Sequence, residues 1–359
     1  MSAPYPGVRR IGVAELAAHP DRVDVRSPAE FALDHVPGAE NRPVLDNDER
    51  ARVGTLYAES PFAARRLGAA IVARNVAAML ESAFADRPRE WSPVVYCWRG
   101  GQRSRALVQV LHEVGWRAFQ LEGGYRAYRR HVAAELARVP QRFRYAVICG
   151  LTGSGKSRLL AALDTAGAQT LDLEGIARHR GSVLGGLPGE AQPSQKAFES
   201  SLLDALSRLD ASRPVFVESE SRRIGVLQMP DALLEGMRRG VALTLSTPRE
   251  ARVALLKDEY AHFFAAPGQL GACLKPLVEL HGKTTIAHWE ALAAAGDWDT
   301  LIAELLDRHY DPIYARSLER HFAGGSRVIE ASNATPSEFD ALAREVRSSV
   351  EEADTVESR

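Results

Sequence analysis

The sequence predicts an α/β protein with two domains, each built on a parallel sheet. Its 359 residues and mass of 39.2 kDa exceed the usual size of one domain by about twofold. Short apolar runs alternate with helical patterns along the chain, which is typical of strands and helices in parallel α/β folds. A hydrophobic fraction of 45% and a charged fraction of 25% fit an ordinary globular protein and exclude a disordered or fibrous one.

The first domain is predicted over residues 1–137. Its short apolar runs indicate strands, and apolar residues that recur with a helical period indicate the helices between them. The expected elements are strands at 22–25 and 93–96, a helix that opens at Pro28, and a helix over 104–114.

The second domain is predicted over residues 145–350, after a basic linker at 138–144 and before a polar, flexible tail at 351–359. It is expected to resemble a P-loop NTPase fold with a helical insertion at about 248–322. The expected sheet and first helix comprise strands at 145–149, 170–173, 215–218, 241–246 and 327–329 and a helix over 156–164.

Composition excludes several classes of protein. No run approaches the roughly 18 apolar residues of a membrane helix, and the first ten residues lack a signal-peptide core, so we expect a cytoplasmic protein. The three cysteines are too few and too far apart for a disulfide framework or a structural zinc site, and no metal site is predicted. Cys149 and Cys273 lie in apolar or small-residue runs and are expected to be packing residues. A monomer is favoured, although the sequence leaves the oligomeric state open.

A basic stretch lies between Arg99 and Arg144. It contains ten arginines and three glutamates, a local charge of 10 − 3 = +7, whereas the net charge of the whole chain is −1. Such a patch is typical of nucleic-acid contact, whereas general arginine enrichment from genome composition is the alternative. The residues expected to contact nucleic-acid phosphates are Arg126, Arg129, Arg130, Arg138, Arg142 and Arg144.

The segment GLTGSGKS at 150–157 fits the phosphate-loop pattern G-x-x-x-x-G-K-[ST] between an expected strand and an expected helix. Its glycines allow backbone N–H groups to turn toward phosphates, and the helix start and lysine add positive charge. We therefore expect a di- or triphosphate ligand. The predicted phosphate-binding residues are Gly150, Thr152, Gly153, Ser154, Gly155, Lys156 and Ser157.

Acidic residues near the phosphate loop raise the question of magnesium. Phosphoryl transfer normally uses an acid at the end of a hydrophobic strand, and the strand at 215–218 ends in Glu218. Glu218, Glu220 or Asp172 could serve, or each could pair with an arginine at 178, 222 or 223. The candidate polar site of the second domain comprises Asp172, Glu218, Glu220 and Arg222. The sequence leaves the metal requirement open, with Mg²⁺ as the candidate ion.

Cys97 begins a second loop of chemical interest. It follows the strand expected at 93–96 and precedes two glycines and a helix start. Loop amides, the helix start and the guanidiniums of Arg99 and Arg103 should favour the thiolate and so increase its nucleophilicity. We expect Cys97, Arg99 and Arg103 to be catalytic; a buried structural cysteine is the alternative.

Several motifs resemble known families. The Cys97 loop, together with DVRSPAEF at 24–31, HVPGAEN at 35–41 and LEGGY at 121–125, resembles a rhodanese domain. A rhodanese domain followed by a P-loop domain is similar to the tRNA 2-selenouridine synthase family. The motifs that carry this second resemblance are DLEG at 172–175, HRGS at 179–182, QPSQ at 192–195, FE at 198–199 and VESESRRIG at 217–225.

The resemblance implies a selenotransferase that modifies the wobble uridine of tRNA. Geranyl diphosphate would alkylate the sulfur of 2-thiouridine in the anticodon loop, and selenium from selenophosphate, carried by Cys97, would then replace the S-geranyl group. No tightly bound cofactor is implied. Alkylation expels diphosphate, which a phosphate loop can stabilise without phosphoryl transfer.

Other functions stay open on the sequence alone. Five residues separate Cys97 from Arg103, which is one more than the usual sulfurtransferase loop and is also the Cys-x5-Arg phosphatase pattern. A rhodanese-type sulfurtransferase or such a phosphatase, fused to a P-loop kinase, is therefore the alternative enzyme. A nucleotide-binding regulatory module with an inactive first domain is a third possibility. Residues 261–264 are candidates for the geranyl pocket, with ordinary helix packing as the alternative.

Overall fold

The computed structural model describes residues 8–182, 184–265, 267–312, 314 and 326–357. They form two compact units. The first comprises residues up to Glu135 together with Pro193–Asp204. The second comprises Leu136–Gln192 together with residues from Ala205 onward. Residues 193–204, which the sequence places in the second domain, thus group with the first unit.

The first unit contains a five-stranded parallel sheet of β1 (Arg10–Ile11), β2 (Arg22–Asp24), β3 (Ala39–Asn41), β4 (Val94–Tyr96) and β5 (Phe119–Leu121). The strand order is β1-β5-β4-β2-β3, so β4 lies at the centre. All of β4 is buried, as expected for a parallel strand covered on both faces.

Helices pack around this sheet: α1 (Pro28–Leu33), α2 (Asn47–Glu59), α3 (Pro61–Glu81), α4 (Gln102–Val114) and α5 (Gly124–Leu136). The apolar face of α4, including Leu107 and Leu111, packs on Val23 and Val95 of the sheet. α4 ends at Gly115, whose φ of +107° is a conformation that glycine adopts without strain.

The second unit contains β6 (Tyr145–Cys149), β7 (Gln169–Leu171), β8 (Val215–Glu218), a short antiparallel pair β9 (Arg223–Ile224) and β10 (Leu227–Gln228), β11 (Val241–Ser246) and β12 (Ser326–Glu330). The main sheet is parallel with the order β12-β11-β6-β8-β7. Its central strand is β6, whose five residues are all buried. As in the first unit, the strand before the loop of interest is therefore the central one.

Helices α6 (Lys156–Thr165), α7 (Leu173–Ala177), α8 (Gln195–Ser207) and α9 (Asp231–Arg239) connect the strands. An insertion of α10 (Arg249–Glu259), α11 (His262–Ala265), α12 (Pro267–Leu274), α13 (Val278–Ala295) and α14 (Trp298–Leu305) follows β11. It has its own apolar core around the fully buried Trp289. The last helix, α15 (Pro336–Glu357), packs on α6 through Phe339.

This architecture confirms the predicted α/β fold with parallel sheets and a helical insertion. Residues 266, 313 and 315–322 of the predicted insertion lie outside the described residues. Two segments differ from expectation. The predicted linker contains a 3-10 helix at Val139–Arg142. The Tyr145 hydroxyl stabilises this helix by donating a hydrogen bond to the Pro140 carbonyl (2.9 Å). Residues 351–357, expected to form a tail, continue α15, and Arg347 pairs with Glu351 one turn later.

Among the described helices, none combines the length and the apolar character that crossing a bilayer requires.

Candidate functional site

Cys97 lies directly after the central strand β4, just before α4 begins. Its side chain is 3% exposed. The sulfur accepts hydrogen bonds from the backbone N–H of Gly101 (3.2 Å) and from the hydroxyl of Ser104 (3.3 Å). Both donors stabilise negative charge on sulfur, so the loop suits a thiol that carries or attacks a reactive group.

Two glycines allow the Cys97 loop to approach the turn before α5. Gly100 has a φ of +62° and Gly124 a φ of +58°. A Cβ atom on Gly124 would lie 2.3 Å from the Cys97 carbonyl oxygen and 2.4 Å from the Gly100 nitrogen. Gln120 fastens the loop from β5 by donating to the carbonyls of Gly100 and Gly101, each at 3.0 Å. The loop is therefore shaped by its backbone contacts.

The two arginines of the loop differ. Arg99 is exposed and has no ion pair or side-chain hydrogen bond with any described residue. Arg103 instead donates to the Glu30 carboxylate at 3.1 Å, and Glu30 also pairs with Arg50 at 2.8 Å. Because Glu30 neutralises Arg103, Arg99 is the freer of the two cations for an anionic substrate.

The phosphate loop follows the central strand β6 and leads into α6. Gly150, Gly153 and Gly155 all have positive φ, which lets the backbone turn back on itself. Lys156 donates to the loop carbonyls of Gly150 (3.0 Å) and Leu151 (3.4 Å). This is the arrangement of a strand, glycine loop and helix start that binds phosphate groups.

Three carboxylates surround the lysine of this loop. The Ser157 hydroxyl contacts Glu218 (2.8 Å) and Glu174 (3.2 Å), and Glu220 interacts with Glu174. Burial alone would lower the pKa of Lys156, but Tyr314 and the three carboxylates raise it. Sequence reasoning selected Glu218 and Glu220 but missed Glu174, although the DLEG motif contains it.

Burial and mutual repulsion alter the acidity of these carboxylates. Burial raises the pKa of Glu218 to about 8, and the charge of Glu174 adds to the effect. Burial likewise raises the pKa of Glu174 to about 8, with Glu220 as the repelling neighbour. For Glu220 burial and the charge of Glu218 raise the pKa to about 7. At neutral pH the cluster therefore retains protons.

A magnesium ion fits one part of this cluster. The Oε1 atom of Glu218 is buried and has no hydrogen-bond partner, while Oε2 contacts Ser157. Within the described residues no group of three or more His, Cys, Asp or Glu side chains has the arrangement of a metal cage. Magnesium at a phosphate loop needs no such cage, because water and phosphate oxygens supply most ligands. Ser157 and Glu218 would hold it, and the ion would neutralise phosphate charge.

The loop, the carboxylates and several cations line one pocket, the phosphate pocket, of about 1930 Å³ counted to its open mouth. The other predicted polar residues contribute less. Asp172 caps α7 by accepting from the Gly175 N–H at 2.7 Å. Arg222 lines the pocket but pairs with Asp231 at 2.7 Å and is 72% exposed. Burial raises the pKa of the Cys149 thiol to about 11, in keeping with a packing role.

The predicted nucleic-acid-binding arginines fall into two groups. Arg138, Arg142 and Arg144 lie in the second unit and are exposed. The others lie on α5 in the first unit, where Arg129 pairs with Asp34 (3.6 Å) and Glu199 and is largely buried. Arg126 and Arg130, four residues apart, are exposed and have no side-chain partner among the described residues.

Comparison with known families matches both units. The profile of the tRNA 2-selenouridine synthase AAA domain covers residues 143–270, and that of the rhodanese-like domain covers residues 13–131. A tRNA 2-selenouridine synthase of Chromohalobacter salexigens is 35% identical over 83% of this chain and 88% of that protein. The chain belongs to the tRNA 2-selenouridine synthase family.

Two further relatives carry the same name. The tRNA 2-selenouridine synthase of Sulfurovum sp. is 32% identical over 90% of this chain and 94% of that protein. The one from Nitrosomonas europaea is 36% identical over 66% of this chain, and this match spans 63% of that protein. The family therefore accounts for the combination of the Cys97 loop and the phosphate loop in one chain.

The carboxylate cluster predicts a pH dependence for diphosphate binding. Without divalent cations, affinity for inorganic diphosphate should be steady below about pH 7. It should fall as the pH rises through 7 to 8, because carboxylates with raised pKa values then lose protons and repel the anion. Calorimetric titration across this range measures the change, which is at most about tenfold per pH unit for each proton involved.

A double variant tests whether the cluster causes this dependence. Glu174→Gln with Glu220→Gln should bind more tightly at high pH and show a flatter profile. Glu259→Gln, which removes a carboxylate from the same pocket outside the cluster, should follow the unmodified protein. Equal slopes in all three proteins would contradict the assignment, since the titration of diphosphate itself is common to them.

Proposed function

We propose that this protein converts 2-thiouridine at the wobble position of tRNA to 2-selenouridine, first by S-geranylation with geranyl diphosphate and then by selenium transfer from selenophosphate. The supporting observation is the presence of a hydrogen-bonded thiol loop and a phosphate loop in one chain. That chain aligns with up to 94% of a relative named tRNA 2-selenouridine synthase. A tRNA substrate is consistent with a cytoplasmic protein.

The phosphate pocket suits the geranylation step. The thiocarbonyl sulfur attacks C1 of geranyl diphosphate, the C1–O bond breaks and diphosphate leaves. Negative charge grows on the leaving group, where loop N–H groups and Lys156 can stabilise it. No phosphoryl group is transferred, so no acceptor for one is needed.

S-alkylation also releases the proton on N3 of the uracil ring, because the product is the neutral S-alkyl ring. A base that titrates near neutral pH is suited to accept it. Glu220 and Glu174 line the phosphate pocket, and burial raises the pKa of each into that range. We therefore assign proton removal to this pair of carboxylates.

The Cys97 loop suits the selenium step. S-alkylation makes C2 of the ring electrophilic, and attack by selenium expels geranylthiol. Selenium in selenophosphate is at the selenide level, so a Cys97 perselenide could form only with a two-electron oxidant. Without an oxidant, the Cys97 thiolate attacks phosphorus, which forms an S–P bond, breaks the P–Se bond and releases selenide in the loop to attack C2. Hydrolysis of the S–P bond then restores the thiol. Direct attack by selenophosphate requires only hydrolysis of the P–Se bond afterwards. Delivery of selenium by Cys97 is the proposed route, and Arg99 is the cation available to selenophosphate.

The anticodon loop is proposed to lie over the surface around Cys97. Trp98 is 37% exposed and packs beside Tyr125, so its ring can stack with an unpaired base. Arg126 contacts this loop through its backbone N–H, which donates to the Trp98 carbonyl at 3.0 Å. Arg99, Arg126 and Arg130 supply exposed positive charge for the RNA backbone.

A Cys-x5-Arg phosphatase has less support. In that chemistry the arginine clamps the phosphate oxygens, whereas Arg103 is occupied by Glu30 at 3.1 Å. A phosphatase by itself would also leave the phosphate loop of the second unit without a role. Mass analysis of tRNA nucleosides, with geranyl diphosphate and selenophosphate added separately and then together, tests the proposed function directly. ATP turnover without geranyl transfer would favour the kinase.

Lys156→Ala should block geranylation. A charge-assisted hydrogen bond is worth about 1.5 to 3 kcal/mol, so the rate should fall at least about tenfold for each such bond that the substitution removes. Selenation of tRNA that is already geranylated should be affected less. The exposed Lys275→Ala serves as the control. Equal losses in both steps would contradict the assignment of the phosphate loop to geranylation alone.

Cys97→Ser should have the opposite effect and accumulate S-geranylated tRNA. The hydroxyl is similar in size but is a far weaker nucleophile than a thiolate at neutral pH, so it cannot deliver selenium from selenophosphate. Nucleoside analysis measures the ratio of geranylated to selenated product, with Cys273→Ala as the matched removal of a thiol. Selenation at the normal rate would show that selenophosphate attacks directly. Loss of both steps in a folded protein would refute the division of labour.

Arg126→Gln with Arg130→Gln should weaken tRNA binding and its dependence on salt. The slope of log affinity against log salt should fall by roughly 0.7 to 0.9 for each phosphate that is no longer neutralised. Arg129 is left intact because it pairs with Asp34 within the first unit. The control is Arg65→Gln with Arg66→Gln, an exposed pair on α3. An unchanged slope would remove α5 from the RNA interface.

A further inference from the structure

An apolar cavity lies beside the phosphate loop within the second unit. It holds about 500 Å³ of empty space counted to its open mouth. The helices of the insertion supply most of its wall, and Thr152 of the phosphate loop completes it. The apolar part of the wall includes Phe263, Phe264, Trp298, Leu301, Ile302 and Leu305. We call this space the tail cavity.

The tail cavity adjoins the phosphate pocket, and the two share part of their wall. Thr152, Leu256, Tyr260 and Tyr310 line both. Leu256 packs so closely on the loop that a Cβ atom on Gly153 would lie 2.7 Å from it. The tail cavity is therefore the apolar space next to a phosphate group bound on the loop, and the uncharged part of the same ligand has this space as its neighbour.

The wall of the tail cavity favours hydrocarbon over a nucleoside base. Its tyrosine hydroxyls are already engaged, because Tyr260 contacts Ser182 at 3.1 Å and Tyr310 bonds to Ser182 and to the Leu184 backbone. Beyond the tyrosines and Thr152, the described wall consists of leucine, isoleucine, phenylalanine and one tryptophan. A purine would lose water here without regaining its hydrogen bonds, whereas an alkyl chain loses none.

We propose that the tail cavity binds the hydrocarbon chain of a prenyl diphosphate whose diphosphate sits on the phosphate loop, and that Phe264, Trp298 and Ile302 set the chain length accepted. This inference rests on the proposed function, since it locates the prenyl donor of that reaction. The rings of Phe264 and Trp298 pack together with centroids 4.6 Å apart. These two residues and Ile302 are half-buried and line only the tail cavity, so they control its volume without contact to the loop residues of the phosphate pocket.

The residues 261–264, which the sequence suggests as candidates for such a pocket, contribute in part. Phe263 and Phe264 line the cavity, whereas Ala261 and His262 do not. The sequence could not supply the remaining wall, because α14 and the phosphate loop reach it from distant parts of the chain.

Calorimetry on the intact protein tests the proposal with four probes: inorganic diphosphate and the non-transferring S-thiolodiphosphates of dimethylallyl, geranyl and farnesyl. Each buried methylene adds about fourfold in affinity, so the geranyl probe should bind at least about a hundredfold more tightly than inorganic diphosphate, with dimethylallyl between them. A geranyl probe that binds no more tightly than inorganic diphosphate would overturn the proposal.

Ile302→Trp fills the cavity and should abolish most of the gain from the geranyl chain while leaving the affinity for inorganic diphosphate unchanged. Leu280→Trp, which adds the same ring at a 63% exposed site in the insertion, is the matched control. Ile302→Ala enlarges the cavity and should shift the preference toward the farnesyl probe, which protects the test if the tryptophan variant folds poorly. If both Ile302 variants kept the same preference for prenyl chain length as the unmodified protein, the proposal would be overturned.

Two further outcomes separate this inference from the proposed function. If the geranyl probe binds as expected but no geranyl group reaches tRNA, the proposed function fails and the cavity assignment stands. If tRNA is geranylated but the Ile302 variants keep the chain preference, the cavity assignment alone fails. Tighter binding of ATP than of the geranyl probe, abolished in Ile302→Trp, would instead assign the cavity to a nucleoside.

Discussion

The structure of both functional loops depends on one constraint, which is that parallel strands all end at the same edge of the sheet. In each unit the central strand ends at that edge, and a helix begins a few residues later. Strand order changes direction at such a position, which leaves a crevice for ligands. Cys97 after β4 and the phosphate loop after β6 occupy equivalent positions. The remaining features of each site modify this shared arrangement.

Charge balance is the main difficulty of the second site. Lys156 lies among three carboxylates, and burial makes each of them costly to ionise. A diphosphate adds further negative charge, so protons or a cation must accompany it. The raised pKa values supply the protons near neutral pH, and Ser157 with Glu218 offers a place for magnesium. Glu220 has the lowest raised pKa of the three, about 7, so it is the carboxylate that remains partly ionised near neutral pH and can accept a proton in the proposed alkylation.

The sequence predicted the features that are local in the chain. The strand, glycine loop and lysine of 150–157 lie in one segment, as do Cys97 and its loop, and the structure agrees with both placements. It did not predict that Arg129 is occupied by Asp34 and Glu199, since these partners are 95 and 70 residues away. Glu174 was missed for the same reason, because its role arises only when α7 is brought beside Ser157.

Distance along the chain also explains why the apolar cavity could not be located from the sequence. Its wall joins the phosphate loop to α10, α11 and α14, and no periodicity distinguishes such residues from ordinary helix core. The domain assignment of residues 193–204 could not be predicted from the sequence for a similar reason. In sequence order they belong to the second domain, yet the buried Phe198 and the contacts of Ser200 with Arg129 belong to the first unit.

Prenyl chain and diphosphate would contribute differently to the proposed reaction. Contacts between the chain and the tail cavity are the same before and during bond breaking, so they strengthen binding without lowering the chemical barrier. Contacts to the departing diphosphate grow stronger as its negative charge develops, so they act on the barrier itself. An enzyme with both kinds of contact can use the bound prenyl chain to hold C1 in position. The phosphate loop then accelerates the departure of diphosphate. The shared wall of the two spaces at Thr152 and Leu256 is the structural basis for this division.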